Sequence, residues 1–398
     1  MASYEAKRSI SDFDVHKTGT QVYEIENIFP YSFVPVQRDP LSRLYGKTMH
    51  SDGAGSKTIW NYLHWKETGN SDVFEWIPDD IAAMNLDDIF CVTAESEIDF
   101  VDYVAINRFR VPKELFSKHL NNGFRRVFGI LERCDIRVNW YGGETAELAD
   151  QVRTVDVSGA VHARFRLRNA VTGERVRPDD VIIGLGSHGK AVWEGRENSG
   201  NMSNGLTVER HCLLTPDYVI KYPEIADPEF MEYRGRFRTD QYINELRMTL
   251  GEAALSPTRI FAPILKVVIE KYGKDVHAVV HNTGGGLTKS LRVGKDIHYV
   301  KGRLPKPPYL VSLVKKESGR SWRSIYEGLC NGIGIEIICP EKVAPHIMED
   351  IDKVDVPVSM IGHCEANTDK EKMASKHGNR VTIISEHGTF EYPYEKID

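Results

Sequence analysis

The sequence predicts a mixed α/β protein of two domains, and three observations carry that prediction. At 398 residues the chain is longer than one ordinary core fills. Stretches with strand-like alternation and stretches with helical spacing follow one another along it. A turn-rich link, Val171-Thr172-Gly173-Glu174-Arg175-Val176-Arg177-Pro178, separates an N-terminal domain (46–172) from a C-terminal one (173–398), with residues 1–45 as a polar, weakly periodic arm. Hydrophobic residues at 41% suffice for substantial cores, and a net charge of -6 gives no electrostatic reason to expect nucleic acid as a partner. No apolar run reaches the roughly 18 residues a membrane span needs, and Met-Ala-Ser-Tyr-Glu-Ala-Lys-Arg has no signal-like apolar core, so no membrane partner and a cytoplasmic protein are expected. Six scattered cysteines without a C-x-x-C pair read as buried, reduced thiols.

The first stretch with chemistry in it is Ser51-Asp52-Gly53-Ala54-Gly55-Ser56-Lys57-Thr58. One acid, two glycines that let backbone amides approach a ligand, a hydroxyl and a lysine make a compact kit for a phosphate and its magnesium ion. The Walker spacing is absent, so the alternatives are a phosphate site of another kind or a tight turn with a solvated lysine. Residues 59–65 form a short apolar segment. Pro78-Asp79-Asp80 then opens a helix through Ile89, because proline suits a first turn and carboxylates suit the positive end of the helix dipole. Asp80 and Asp87, seven residues apart, fall on one side of that helix, about 10.5 Å from each other. They are either part of a binding site or a solvated face.

Residues 98–106 alternate as a strand, 112–133 carry helical spacing, and 136–140 form a strand running into Gly142-Gly143-Glu144-Thr145, a ligand-facing loop or a plain glycine turn. Strands at 154–167 and 180–186 follow, then a polar, glycine-rich run to Gly205 that is long for a structureless loop. Residues 215–255 give no clear element. Ser256-Pro257-Thr258-Arg259 caps a helix through Ile269. A strand at 276–280 leads into His281-Asn282-Thr283-Gly284-Gly285-Gly286, where glycines suit close approach of an anion. Strands at 334–339 and 356–362, a helix at 340–348 and a terminal strand and tail at 381–398 complete the chain.

Taken in order, these motifs resemble the aminoimidazole ribonucleotide synthetase, or phosphoribosylformylglycinamidine cyclo-ligase, family. The resemblance runs through Ser51 to Lys57, Asp80-Ile81-Ala82-Ala83-Met84 with Asp87-Asp88, Gly142 to Glu147, Gly184-Leu185-Gly186-Ser187-His188-Gly189, Ser203-Asn204-Gly205, Leu255 to Ile260 and His281 to Gly286. It implies an N-terminal domain that forms a homodimer around a β-barrel-like core, a C-terminal α/β domain, and ATP and Mg2+ in a cleft near the dimer interface. It further implies ATP-dependent cyclisation of formylglycinamidine ribonucleotide in purine biosynthesis, through an iminophosphate. On this resemblance Asp52, Asp88 and Glu144 are the metal ligands, and Lys57 and His281 the catalytic candidates. Asp52, Gly53, Gly55, Ser56, Lys57, Asp80, Asp87, Gly142, Gly143, Thr145, Asn204, Thr283, Gly284, Gly285 and Gly286 are the nucleotide-binding candidates. The chain departs from the family where Met202 replaces a histidine before Ser-Asn-Gly, behind an insertion at about 190–201, which makes His188 or His211 the candidate substitute. The departure leaves open an enzyme acting on another small amide or phosphate acceptor, or a silent nucleotide-binding homologue.

Overall fold

The computed structural model describes residues 26–226, 232–369 and 377–392. The Tyr23–Phe29 segment expected to be a short helix or strand lies partly outside them, and its described part, from residue 26, has neither. Residues 393–398 of the expected tail also lie outside.

The N-terminal half is built on an open five-stranded sheet: β1 (Gln37–Asp39), β2 (Ser42–Gly53), β3 (Glu97–Ile106), β4 (Arg137–Glu147) and β5 (Val155–Arg166), in the order β1-β2-β5-β3-β4. Part of the expected arm, from residue 37, thus belongs to the sheet. β5 alternates buried and less buried residues along its length, as a strand covered on one face does. Its covered face meets helices α1 (Lys57–Thr68) and α2 (Ile77–Phe90), while α3 (Lys113–Arg133) makes the crossover that lets β3 and β4 run parallel. Residues 59–65, expected to be a short apolar segment, are the middle of α1, which stops at Gly69 in a left-handed conformation. Every residue of α2 is buried, aspartates included, so it is an interior helix. It comes so close to β5 that a Cβ on Gly159 would sit 2.9 Å from Ile81 Cγ2, and only glycine fits.

The C-terminal half carries a seven-stranded sheet, order β11-β13-β6-β14-β12-β15-β16. Its members are β6 (Asp180–Gly186), β11 (Ala278–His281), β12 (Ile297–Lys301), β13 (Ile333–Pro340), β14 (Val358–Ala366), β15 (Arg380–Ser385) and β16 (Gly388–Tyr392). The small pairs β7 (His188–Gly189) with β8 (Asn198–Ser199), and β9 (Tyr242–Ile243) with β10 (Met248–Thr249), lie outside it. The helices are α4 (Leu206–Leu213), α5 (Asp217–Lys221), α6 (Leu250–Ala254), α7 (Ala262–Tyr272), α8 (Tyr309–Ser318), α9 (Trp322–Gly328) and α10 (Ala344–Asp352). The 215–255 stretch therefore contains α5, the β9–β10 pair and α6, elements too short for periodicity to reveal.

Three boundaries differ from expectation. The helix expected from Ser256 starts at Ala262, because the backbone of 258–262 is engaged by acids of α2 and Pro263 suits a first turn. The helix expected over 340–348 is α10, four residues later. The expected loop at Gly142–Thr145 is strand: β4 continues through it, paired with β3 across an irregularity between Phe100 and Asp102. Among the described residues no helix is long and apolar enough to cross a membrane.

Candidate active site

Between the two halves lies a cavity of about 1040 Å³, with Asp52, Gly53, Gly55 and Ser56 on its N-terminal wall and Asn204, Thr283, Gly284 and Gly285 on the other. Asp52 ends β2. Asn85, fully buried on α2, accepts from the Asp52 amide at 3.0 Å and donates to the Asp52 carbonyl at 3.0 Å, which fixes the strand end. The Asp52 side chain, one oxygen of which accepts the Gly53 amide at 2.7 Å, lines the cavity and is 41% exposed. Asp88, near the end of α2, also lines the cavity, and its other oxygen meets His281 Nδ1 at 2.7 Å.

The two carboxylates converge on one atom. His50 Nε2 lies 3.3 Å from Asp88 Oδ2 and 3.9 Å from Asp52 Oδ2. Burial works to lower the His50 pKa, but the two acids outweigh it and the net shift is upward. Burial likewise works to raise Asp88, and bonding to His281 with the charges of His281, His50 and Lys289 outweighs it, so Asp88 is held below the usual carboxylate range. Two carboxylates on one wall of the cavity, each with an oxygen near His50, offer hard ligands that suit a divalent cation. Among the described residues the buried Nδ2 of Asn204 and Nε2 of His281 have no hydrogen-bond partner.

Other predicted residues are placed differently. Lys57 does not reach the cavity: it is 0% exposed, and its ammonium bonds Asp80 Oδ1 at 2.7 Å and the Ser256 carbonyl at 2.6 Å. Asp80 also accepts from the Thr258 amide (2.8 Å), the Thr258 hydroxyl (2.6 Å) and Ser203 (3.2 Å). Asp87 accepts the amides of Phe261 and Ala262 at the start of α7. The shared side of α2 therefore faces protein, not ligand: both acids dock the C-terminal half, and burial pushes the Asp87 carboxyl well above its usual range. Gly286 has φ +49, and a Cβ there would lie 2.4 Å from the Leu329 carbonyl, so it packs the glycine turn against the end of α9 while Gly284 and Gly285 line the cavity.

His281 is wholly buried and meets Asp88, so within this chain it positions that carboxylate. Gly142, Gly143, Glu144 and Thr145 lie on the edge strand β4. The pairings Asp52 to Gly159, Gly159 to Asp102 and Asp102 to Gly143 cross three strand spacings, roughly 14 Å at about 4.8 Å each. Within one chain Glu144 cannot share an ion with Asp52 and Asp88.

Met202 is buried beneath the cavity, beside Gly334, and does not line it. Neither His188 nor His211 lines the cavity, and His211 bonds the Glu232 carbonyl. The histidine that does is His50, which motif matching missed although it stands two residues before Asp52, on the same side of β2. Lys289, Arg292 and Arg320 were missed as well; they make the C-terminal wall cationic opposite the two acids.

No family model matches the chain. Phosphoribosylformylglycinamidine cyclo-ligase of Pyrococcus horikoshii is 30% identical over 304 residues, 76% of this chain and 75% of the relative. The chain belongs to the phosphoribosylformylglycinamidine cyclo-ligase family. The cyclo-ligase of Methanococcus vannielii is 28% identical over 324 residues, 81% of this chain and 79% of its own. In fold, this cyclo-ligase family member is similar to AaThiL complexed with AMPPCP and TMP (TM-score 0.55, 10% identity, 97% and 98% of the two chains). It is similar also to the thiamine monophosphate kinase of Aquifex aeolicus (TM-score 0.54, 11% identity, 96% and 99%).

Proposed function

We propose that this chain is a cytoplasmic, ATP-dependent cyclo-ligase that converts formylglycinamidine ribonucleotide to aminoimidazole ribonucleotide. The observation that carries the reading is the cavity itself: Asp52 and Asp88 converge on one side and a glycine turn with cations stands on the other. Asp52 and Asp88 are the residues that would hold Mg2+, and the ion would supply charge neutralisation for the phosphates of ATP. The terminal phosphoryl group of ATP passes to the formyl oxygen of the substrate, ADP leaves, the amidine nitrogen attacks the activated carbon, and phosphate departs with the proton lost by that nitrogen.

The protein's part is placement and charge. Asn85 fixes the end of β2, His281 orients Asp88, and the amides of Gly284 and Gly285 with the unpaired amide of Asn204 offer donors to phosphate or ribose oxygens. His50 stands on the cavity wall between the two acids, where its ring would help hold both carboxylates in place. Met202 does not line the cavity, so the departure from the family at that position lies behind its wall. A homodimer joined through the outer face of the N-terminal sheet is part of the proposal, with Gly142, Gly143, Glu144 and Thr145 serving a partner's cavity.

The test is purified protein with formylglycinamidine ribonucleotide, Mg2+ and ATP, following ADP and the aminoimidazole together. Equal amounts of both are expected; ADP without aminoimidazole would refute the ring-closing step. In Asp88→Asn the rate should fall at least about 100-fold with the melting temperature little changed, and full activity would remove the metal assignment.

A further inference from the structure

Among the described residues four lysines are buried: Lys57, Lys266, Lys289 and Lys301. Three have carboxylate partners, Asp80, Glu270 and Glu336. Among the described residues Lys289 has none within 4.0 Å. Its ammonium bonds the Thr283 hydroxyl and stands 5.5 Å from the centre of the Phe33 ring. A buried ammonium without a counter-charge is costly, and proteins ordinarily pair it or keep it in water. Here it lines the cavity, on the turn that follows Gly284 and Gly285, across from Asp88 and Asp52. Burial lowers its pKa to about 8, with Asp88 and Asp52 opposing that shift. The protein thus provides an acidic pole and a cationic pole on one cavity, and Lys289, whose acids stand beyond contact distance, has room for a negatively charged ligand group as a contacting partner.

We propose that Lys289 is a catalytic residue that binds the phosphoryl group in transit from ATP to the substrate, the role the sequence suggested for Lys57. This rests on the ATP-dependent reading above. The ammonium keeps its protons and donates hydrogen bonds to the non-bridging oxygens. The bond from phosphorus to the ADP oxygen breaks, the bond to the formyl oxygen forms, and the same contact then follows the phosphate as the ring closes. Arg292 and Arg320 line the same wall, so a phosphate monoester on the substrate is the other dianion this pole could take, and the experiment separates the two.

Lys289→Met and Lys289→Arg are compared with the unaltered protein in three measurements: steady-state turnover, titration calorimetry with the β,γ-methylene analogue of ATP plus Mg2+, and melting temperature. For Lys289→Met the expectation is a kcat lower by about 100- to 1000-fold, with the KM for formylglycinamidine ribonucleotide within about threefold. Lys289→Arg should recover at least about tenfold of that loss. The melting temperature of Lys289→Met should rise, since an unpaired buried charge has been removed; a merely structural lysine would lower it. A kcat within about threefold of the original overturns the proposal, as does a loss confined to the substrate KM, which assigns Lys289 to the substrate's own phosphate. If the unaltered protein forms no aminoimidazole, the ring-closing function fails separately. Calorimetry then decides Lys289: weaker analogue binding in Lys289→Met upholds its phosphate contact, and unchanged binding removes it.

Discussion

Replacing Lys57 by methionine would leave Asp80 inside the protein with hydrogen-bond donors but no counter-charge. Breaking one partner of a buried pair costs about 3–5 kcal/mol, so a marked drop in melting temperature is expected, with nucleotide affinity kept by whatever remains folded. Calorimetry on Lys57→Met checks this: lost ATP affinity at unchanged stability would return Lys57 to the phosphate. The acid-side limit of stability has its own marker. His64 is buried, bonds Thr239 Oγ1 at 2.7 Å, and is held by burial below its ordinary value. Its folded pKa lies under the unfolded value of about 6.5, so its contribution is complete above that pH and is lost as pH falls through the folded value. Melting temperatures measured between pH 7 and 5 should decline, and His64→Gln should flatten part of the slope. Sequence alone could name acids, glycines and lysines as chemistry-bearing types, but not which lysine is paired. Lys57 stands in the motif and is paired with Asp80, 23 positions away; Lys289 stands outside any motif and touches no carboxylate among the described residues.

At the scale of elements, α2 shows how far a pattern reaches. The seven-residue spacing of Asp80 and Asp87 correctly puts them on one side of a helix, yet spacing does not say what that side meets. It meets the backbone of 258–262, whose amides have their partners in a helix distant in sequence, and this is also why α7 starts six residues later than its apparent cap. Asp88, one position on, points to the cavity. Asp87→Ala should therefore cost about 1–3 kcal/mol through two orphaned amides, measured by denaturant unfolding, while ATP affinity is retained. Asp88→Asn should show the reverse pattern. Long strands and amphipathic helices such as β5 and α3 were legible because local periodicity determines them. The two-residue strands and the five-residue helices of 217–254 were not, because their form depends on tertiary contacts such as the bond from the Thr239 amide to Tyr218.

At the scale of the whole molecule, the N-terminal sheet has one face under α2 and another that is open. Register puts Met49, opposite His162 and Asp99, on the same face as Val101 and Tyr103, and these apolar residues are 66%, 45% and 41% exposed. Tyr103 is paired with Glu144, so the carboxylate that cannot reach its own Asp52 lies on that open face. Exposed apolar residues on a sheet face, here interleaved with His162 and Asp99, suit burial against a protein, and the homodimer proposed above would cover them. Sedimentation equilibrium should give a dimer, and Val101→Glu with Tyr103→Glu should give a folded monomer, since neither side chain contributes to the covered face. If Glu144 completes the cavity of the partner, this monomer and Glu144→Gln should both lose turnover, the first at every concentration and the second while still dimeric. A wild-type monomer with full activity would instead confine the working site to the cavity of one chain and leave the glycine-rich end of β4 with a structural role only.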